Sequence, residues 1–120
     1  MRDRVCMVTG ASRGIGAATA RLAAGRGYAV CVNYRTNRDA ADRVVADCQL
    51  VGAKAVAVQA DVAVDADVVR LFETTDRELG PVTALVNNAG ILERQMRVEE
   101  MDAGRLARVF AANVTGPFLC

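Results

Sequence analysis

Two patterns of hydrophobic positions alternate along the 120-residue chain. Short runs such as Val-Cys-Met-Val, Ala-Val-Cys-Val and Ala-Val-Ala-Val are apolar at every position, whereas the longer stretches between them carry apolar residues at helical spacing. Strands that are apolar on both sides are typical of a parallel sheet covered by helices on both faces. The predicted strands and helices alternate over residues 5–9, 15–24, 29–34, 39–50, 54–60, 66–79 and 82–87, with a last helix from residue 101 onward.

This order predicts an α/β fold, a three-layer Rossmann-type doubly wound parallel sheet. Right-handed crossovers and a chain reversal after the third strand give the strand order 3-2-1-4, with a ligand crevice outside the carboxyl ends of strands 1 and 4. The predicted apolar helix faces are Ile15, Ala18, Leu22 and Ala23, then Ala41, Val44, Val45 and Cys48, and then Val68, Leu71, Phe72 and Thr75.

Composition and charge narrow the class of protein. The chain is 52% hydrophobic with few aromatic residues, and its length suits one domain. A formal charge of +1, with acidic and basic residues interleaved, gives no broad field for nucleic acid or an anionic membrane. No apolar run approaches the roughly 20 residues of a membrane span. Residues 1–4 show no signal-peptide core, so a cytoplasmic location is expected.

The four cysteines are predicted to be free thiols. Cys6, Cys31, Cys48 and Cys120 show no ligand-like pairing, and without histidine in the chain a zinc site is not expected. Cys6 and Cys31 lie in apolar strand runs, which favours small buried side chains over reactive nucleophiles.

A glycine-rich turn follows the first predicted strand and leads into a helix, with the sequence Thr9-Gly10-Ala11-Ser12-Arg13-Gly14-Ile15-Gly16. Gly10 permits a tight turn, Gly14 lets backbone N–H groups approach a pyrophosphate, and Gly16 allows the helix to pack on the sheet. The alternative is a structural turn that binds no ligand.

The spacing T-G-x-x-x-G-x-G resembles that of the classical short-chain dehydrogenase/reductase family. The resemblance extends over the whole chain, with Asp61-Val62 after the third strand, Asn87-Asn88-Ala89-Gly90 after the fourth, and Asn113 in the next helix. It implies that residues 1–120 are the N-terminal NAD(P)-binding Rossmann domain of an oxidoreductase. Such an enzyme transfers a hydride between a nicotinamide cofactor and a small-molecule carbonyl/alcohol substrate.

The resemblance also assigns residue roles. Asp61 would accept a hydrogen bond from the adenine amino group and Val62 would help hold the ring, although Asp61 could also be a turn residue. Asn88-Ala89-Gly90 would lie against the ribose and nicotinamide, and Asn87 would brace the central strands. The full set of predicted cofactor-binding residues is Gly10, Ser12, Arg13, Gly14, Ile15, Gly16, Tyr34, Arg35, Asp61, Val62, Asn88, Ala89 and Gly90.

The end of the second strand indicates which cofactor is used. An NAD enzyme usually has an acidic residue there, where it binds the ribose hydroxyls and repels a 2′-phosphate. This chain has Asn33-Tyr34-Arg35 and no acid before Asp39. Arg35 offers a planar donor for a phosphate, and Arg13 can approach the same group, so NADP(H) is favoured over NAD(H). Solvated surface roles are the alternative for both arginines.

Asn113 is the predicted catalytic residue of this stretch. The resemblance makes it the tetrad member that kinks its helix and whose carbonyl holds a proton-relaying water. It shares an apolar stripe with Leu106, Val109, Phe110, Val114 and Pro117. Pro117, four residues on, has no N–H for the Asn113 carbonyl. A buried asparagine satisfied by backbone, or one near a helix end at Gly116-Pro117, is the alternative.

The other catalytic residues of the family, a Ser and a Tyr-x-x-x-Lys, are absent. Tyr28 and Tyr34 have no lysine four residues on, and Lys54 is the only lysine. The chain is therefore expected to be part of a protein of about 250 residues, inactive alone, with a genuine end at Cys120 as the alternative.

Three functional hypotheses remain. They are a 3-oxoacyl reductase-like or sugar dehydrogenase-like enzyme, a non-catalytic NADP(H)-binding module and a structural subunit. The resemblance also implies a homo-oligomer.

Overall fold

A computed structural model, which describes residues 4–93 and 95–120, has one parallel sheet with the strand order 3-2-1-4. The elements are β1 (Val5–Val8), α1 (Gly14–Gly25), β2 (Ala29–Tyr34), α2 (Arg38–Leu50), β3 (Ala55–Gln59), α3 (Asp65–Glu78), β4 (Ala84–Val86), a 3₁₀ turn (Val98–Glu100), α4 (Ala103–Phe110), a π-helical turn (Ala111–Thr115) and α5 (Gly116–Leu119). Residues 1–3, which entered the prediction about the N-terminus, lie outside the described ranges. Within those ranges no helix is long and apolar enough to cross a membrane.

The central strand β1 is buried along its whole length and pairs with β2 on one side and β4 on the other. Val8 lies opposite Val32 of β2 and Val86 of β4, so these three strands end at the same edge of the sheet. This arrangement confirms the predicted α/β class and strand order. The chain reverses direction across the sheet between β3 and β4, and this reversal leaves the predicted crevice at the carboxyl ends of β1 and β4.

Helices cover both faces of the sheet and make three layers. One face packs against α1 and α2, with Val8, Val30, Ala41 and Val44 in its core. The other packs against α3, with Met7, Cys31, Val58 and Leu71 in its core. Neighbouring residues of a strand point to opposite faces, which is why residues 5–8, 29–32 and 55–58 are apolar at every position. The predicted apolar faces of α2 and α3 are confirmed, since Val44, Cys48, Val68 and Leu71 are buried.

The predicted apolar face of α1 is wrong. Ile15 and Leu22 are 79% and 59% exposed, and the residues that face the sheet are Gly16, Ala17, Ala20 and Ala24. The interface consists of small side chains because the backbone of α1 lies close to the strands. A prediction that looks for the largest apolar side chains therefore selects the solvent side of this helix.

The apolar stripe of the last helical region also lies outside the core. Leu106, Phe110 and Val114 are 47%, 57% and 44% exposed, and Asn113 is exposed as well. The helix does not end at Gly116-Pro117 but passes through the π-helical turn into α5. The explanation of Asn113 as a buried residue is thereby excluded.

The strand cysteines are buried free thiols, as predicted. Burial raises the pKa of the Cys31 thiol to about 11, and burial also raises the pKa of Cys6. The Thr75 hydroxyl donates a hydrogen bond to the Cys31 sulfur over 3.2 Å. Both thiols stay protonated at neutral pH and act as small core side chains.

Two leucine substitutions test the placement of the core. Leu71→Ala removes a fully buried side chain between α3 and the sheet, and we expect it to lower the free energy of unfolding by about 2–5 kcal/mol. Leu22→Ala, on the exposed side of α1, should change it by less than about 0.5 kcal/mol. Urea denaturation followed by circular dichroism measures both values. A larger loss for Leu22→Ala would show that α1 packs through its predicted face after all.

Candidate functional site

A cleft of about 490 Å³ opens at the carboxyl edge of the sheet. Its walls come from the turn between β1 and α1, the ends of β2 and β3, the segment after β4, and the π-helical turn. The lining residues are Gly10, Ser12, Arg13, Gly14, Ile15, Asn33, Arg35, Thr36, Asn37, Ala60, Asp61, Val62, Asn88, Ala89, Gly90, Ile91 and Ala112. The cleft therefore lies where the sequence placed the crevice.

The glycine turn is packed tightly against the segment after β4. Gly10 has a φ of +61°, and a Cβ on it would lie 2.8 Å from the Ala89 Cα. A Cβ on Gly16 would lie 2.5 Å from both the Asn88 Nδ2 and the Gly10 carbonyl oxygen. Neither position can take a side chain without moving backbone. Gly14 differs, because its φ is +59° but the space above its Cα is open toward the cleft.

A side-chain network fixes this contact. The Thr9 hydroxyl oxygen accepts hydrogen bonds from the backbone N–H groups of Asn88 and Ala89, over 3.0 and 2.9 Å. The Asn88 amide donates in return to the carbonyls of Thr9 and Gly10, over 3.1 and 3.0 Å. Asn88 rather than the exposed Asn87 thus braces the two central strands, which corrects the sequence-based assignment.

Asn33 plays the same part on the other side of β1. Its buried Oδ1 accepts from the Gly10 N–H over 3.1 Å, and its Nδ2 donates to the carbonyls of Val58 and Ala60 over 3.2 Å each. One amide therefore ties the glycine turn to the end of β3. Because a buried amide without partners would cost about 1–3 kcal/mol, its full satisfaction specifies this arrangement of three segments.

The N-terminus of α1 faces the cleft without a side-chain cap. Arg13 occupies the cap position and forms no side-chain cap hydrogen bond, and the first turn contains no acidic residue. By contrast, Asn37 caps α2 through the Ala40 N–H and Asp102 caps α4 through the Arg105 N–H. The first N–H groups of α1 and its positive dipole end are thus available to an anionic ligand.

One end of the cleft carries a loose ion pair. The Arg35 Nε lies 3.7 Å from the Asp61 Oδ2, and 62% of the Arg35 side chain is exposed. The other Asp61 oxygen accepts from the Ala63 N–H over 2.9 Å, which holds the carboxylate in place. The Gln59 amide donates to the Arg35 carbonyl over 3.1 Å and fixes the backbone there. A long, exposed pair of this kind contributes little stability and leaves the guanidinium free to turn to another anion.

The opposite end of the cleft is joined to the last helical region by Asn113. Its Oδ1 accepts from the Ile91 N–H over 2.7 Å and its Nδ2 donates to the Ile91 carbonyl over 2.9 Å. The helix is locally distorted at this point, since the Gly116 N–H bonds to the Ala111 carbonyl, five residues back. The Ala112 carbonyl therefore lacks its α-helical donor, and the Asn113 carbonyl lacks one because Pro117 has no N–H.

Two residues after Ile91, a bidentate ion pair joins the segment after β4 to α4. The Arg108 Nε and a terminal guanidinium nitrogen each lie 2.7 Å from a Glu93 carboxylate oxygen. The hydrogen bonds from Arg108 hold the pKa of the Glu93 carboxyl below its usual range. Glu93 is therefore ionised at neutral pH, and the pair would be lost only as the pH falls through that lowered pKa.

Most of the predicted site residues line this cleft, with three exceptions. Tyr34 is only 7% exposed and packs in the core between the sheet and α2. As the last residue of β2 its side chain points away from the cleft, whereas the next residue, Arg35, lines it. Gly16 lies beneath the cleft wall, against Asn88. Asn113 is held next to the cleft through Ile91.

Sequence reasoning missed the residues that support the site from behind. Thr9 and Asn33 were read as parts of motifs, without a role of their own. The available signal was a polar side chain within or directly after an apolar strand run, because such a residue must find buried partners. Glu93 and Arg108 gave no signal, since their pairing depends on the path of the chain after β4.

Comparison with known proteins agrees with this geometry. A family model for short chain dehydrogenases matches residues 4–120. The uncharacterized oxidoreductase YgfF of Escherichia coli (strain K12) is 49% identical over 116 residues, which are 97% of this chain and 47% of that protein. A 3-oxoacyl-[acyl-carrier-protein] reductase of Synechocystis is 46% identical over 121 residues, covering 98% of this chain and 47% of that protein.

Solved structures show the same fold. A variant of a Serratia marcescens short-chain dehydrogenase/reductase superimposes with a TM-score of 0.92 at 35% identity, covering 97% of this chain and 47% of that one. The chain spans about half the length of the curated relatives it matches. The chain belongs to the short-chain dehydrogenase family.

Proposed function

We propose that this chain is the cofactor-binding part of an NADP(H)-dependent oxidoreductase that interconverts a carbonyl and an alcohol. The observation that carries the proposal is the cleft at the carboxyl edge, which is faced by an uncapped helix N-terminus and by two exposed arginines, Arg13 and Arg35. A dinucleotide with a pyrophosphate and a 2′-phosphate matches that distribution of donors.

The cleft residues fit the cofactor on chemical grounds. The open space above Gly14 leaves room for a pyrophosphate next to the first N–H groups of α1. Because Gly10 and Gly16 have no side chains, the backbone of the turn packs directly against the segment after β4, and no side chain at these positions would separate it from the ligand. Gly10, Ser12, Gly14 and Ile15 would therefore hold the centre of the dinucleotide.

The Arg35 end would bind the adenosine half. Asp61 and Val62 line the cleft there and would receive the adenine, while Arg35 would leave its loose pair with Asp61 and donate to the 2′-phosphate. Arg13 has no carboxylate within ion-pair distance in the described part of the chain, so it would be a second donor. The carboxylate that excludes a 2′-phosphate in NAD enzymes has no counterpart at the end of β2.

The other end would bind the nicotinamide half along Asn88, Ala89 and Gly90. When bound, the nicotinamide gives or accepts a hydride at its C4 atom. Asn113 holds this wall through Ile91, and its carbonyl, without an α-helical donor, would hold a water for proton transfer. The serine and the tyrosine–lysine pair that complete proton transfer in the family are absent from these 120 residues and would come from further chain.

The substrate class is proposed from similarity. The Synechocystis relative is named a 3-oxoacyl-[acyl-carrier-protein] reductase, which supports a reductase that acts on a small 3-oxoacyl or related carbonyl compound. A sugar dehydrogenase-like activity is the alternative within the same chemistry. The homo-oligomeric state and the cytoplasmic location stay predictions.

The ratio of nucleotide affinities tests the cofactor. We expect this chain to bind NADPH at least tenfold more tightly than NADH, because the two guanidinium groups would both donate to the 2′-phosphate. A tenfold difference in affinity corresponds to about 1.4 kcal/mol of binding free energy. Arg35→Asp should reverse the preference by adding repulsion. Isothermal titration calorimetry with both nucleotides measures the ratio, and tighter binding of NADH by the unaltered chain would contradict the proposal.

A matched pair of glycine substitutions tests whether the turn is a ligand site. Gly16→Ala forces a Cβ against Asn88 and the Gly10 carbonyl, so we expect it to lower NADPH affinity at least about tenfold. Gly25→Ala, at the far end of α1 with nothing within 4 Å of the added Cβ, should leave the affinity unchanged. Equal affinities for the two variants would indicate a turn without a ligand role.

Turnover distinguishes an enzyme from a nucleotide-binding module. Residues 1–120 alone should bind NADPH but not oxidise it in the presence of ketones or 3-oxoacyl thioesters, because the proton-transfer residues are missing. Protein isolated from its natural host, with its intact mass determined, should oxidise NADPH with at least one of these substrates. Binding without turnover by that protein would favour the non-catalytic module.

A further inference from the structure

The segment that forms the proposed nicotinamide wall has little regular structure of its own. Between β4 and the 3₁₀ turn, residues 87–97 contain no described helix or strand. Asn88 and Ala89 are tied to Thr9, but Leu92 is 95% exposed. A loop of this kind takes its position from the few contacts at its edges, since each freely rotating residue costs about 1–2 kcal/mol to order.

Three side chains of the last helical region hold the second half of this wall. Asn113 binds the Ile91 backbone, and Arg108 binds the Glu93 carboxylate with two nitrogens at 2.7 Å. Arg105 adds a long contact of 3.5 Å to the Glu93 carbonyl. The Arg108–Glu93 contact is the only ion pair in the described ranges with two nitrogen–oxygen distances below 3 Å, a geometry that fixes direction as well as distance.

We propose that Arg108 and Glu93 form a positioning pair that sets Gly90 and Ile91 against the nicotinamide end of the cofactor. The inference rests on the proposed function. Neither residue lines the cleft, so neither touches the cofactor; the pair acts through the two residues of the wall that do line it. The Asn113 amide holds only the Ile91 backbone, through two hydrogen bonds, and the Arg108–Glu93 pair holds the chain two residues farther on, which restrains the wall at a second residue.

The exposure of the pair indicates that its effect is local. The side chains of Arg108 and Glu93 are 58% and 28% exposed, and an exposed ion pair changes global stability little. A contact that barely affects global stability can still fix the local position of a loop. The pair should therefore change the affinity for the half of the dinucleotide that meets this loop and leave the other half unaffected.

Binding of a whole dinucleotide and of its adenosine half separates these effects. We expect Arg108→Met and Glu93→Gln each to lower the affinity of this chain for NADPH about three- to tenfold. Their affinity for adenosine 2′,5′-bisphosphate, which lacks the nicotinamide half, should equal that of the unaltered chain. Arg108→Lys keeps the positive charge but not the two planar N–H donors, so its loss of affinity should be smaller than that of Arg108→Met. Isothermal titration calorimetry measures both ligands on every variant.

Arg77→Met is the control, because Arg77 forms a 3.7 Å pair with Glu78 on α3, away from the cleft. It should leave both affinities unchanged. Amide hydrogen exchange at Ile91 and Leu92 should quicken in Arg108→Met and not in Arg77→Met. An equal loss for both ligands, or no loss for NADPH, would overturn the positioning role while leaving the proposed function intact. If the unaltered chain binds neither ligand, the proposed function fails and this inference fails with it.

Discussion

The close approach of the glycine turn to the segment after β4 determines the rest of the site. A Cβ at Gly10 or Gly16 would lie 2.5–2.8 Å from backbone or from the Asn88 amide, so only glycine allows these segments to meet. Their contact brings the Thr9 hydroxyl within reach of two N–H groups after β4. It also lowers the start of α1 onto the sheet, which turns the uncapped helix N-terminus into the floor of the cleft. The access of the cleft to this helix N-terminus thus depends on the absence of two side chains.

The same constraint explains the composition of α1. A helix whose first turn lies against backbone must use small residues along the side that continues from that turn, and Gly16, Ala17, Ala20 and Ala24 do so. Little apolar area is buried per residue there, but many atoms are in close contact. The helices α2 and α3 have no such requirement and pack through larger residues such as Val44 and Leu71. The difference between these interfaces is therefore a consequence of where the glycine turn meets the segment after β4.

Sequence patterns predicted the parts of the molecule that follow from local rules. The strand order and cleft position follow from alternating elements and crossover handedness, and they were correct. The apolar face of α1 was wrong because hydrophobic size, rather than closeness of packing, was used to choose it. Tyr34 was assigned to the cleft from its motif, yet the alternation of side chains along β2 turns it into the core. The roles of Asn33 and Asn88 required knowledge of which carbonyls lie nearby, and only the folded backbone supplies that.

The two ends of the cleft are held by different kinds of contact. At the Arg35 end, the buried Asn33 amide ties the glycine turn to the end of β3. At the other end, the wall beyond Ala89 is held by contacts of exposed residues, Asn113 with Ile91 and Arg108 with Glu93. Buried, fully satisfied contacts open only with much of the fold, whereas exposed ones open locally at small cost. Under the proposed function, the wall beyond Ala89 faces the nicotinamide half, where a substrate would enter and leave. The contacts that open at small cost would then lie at the end of the cleft where the proposed reaction takes place.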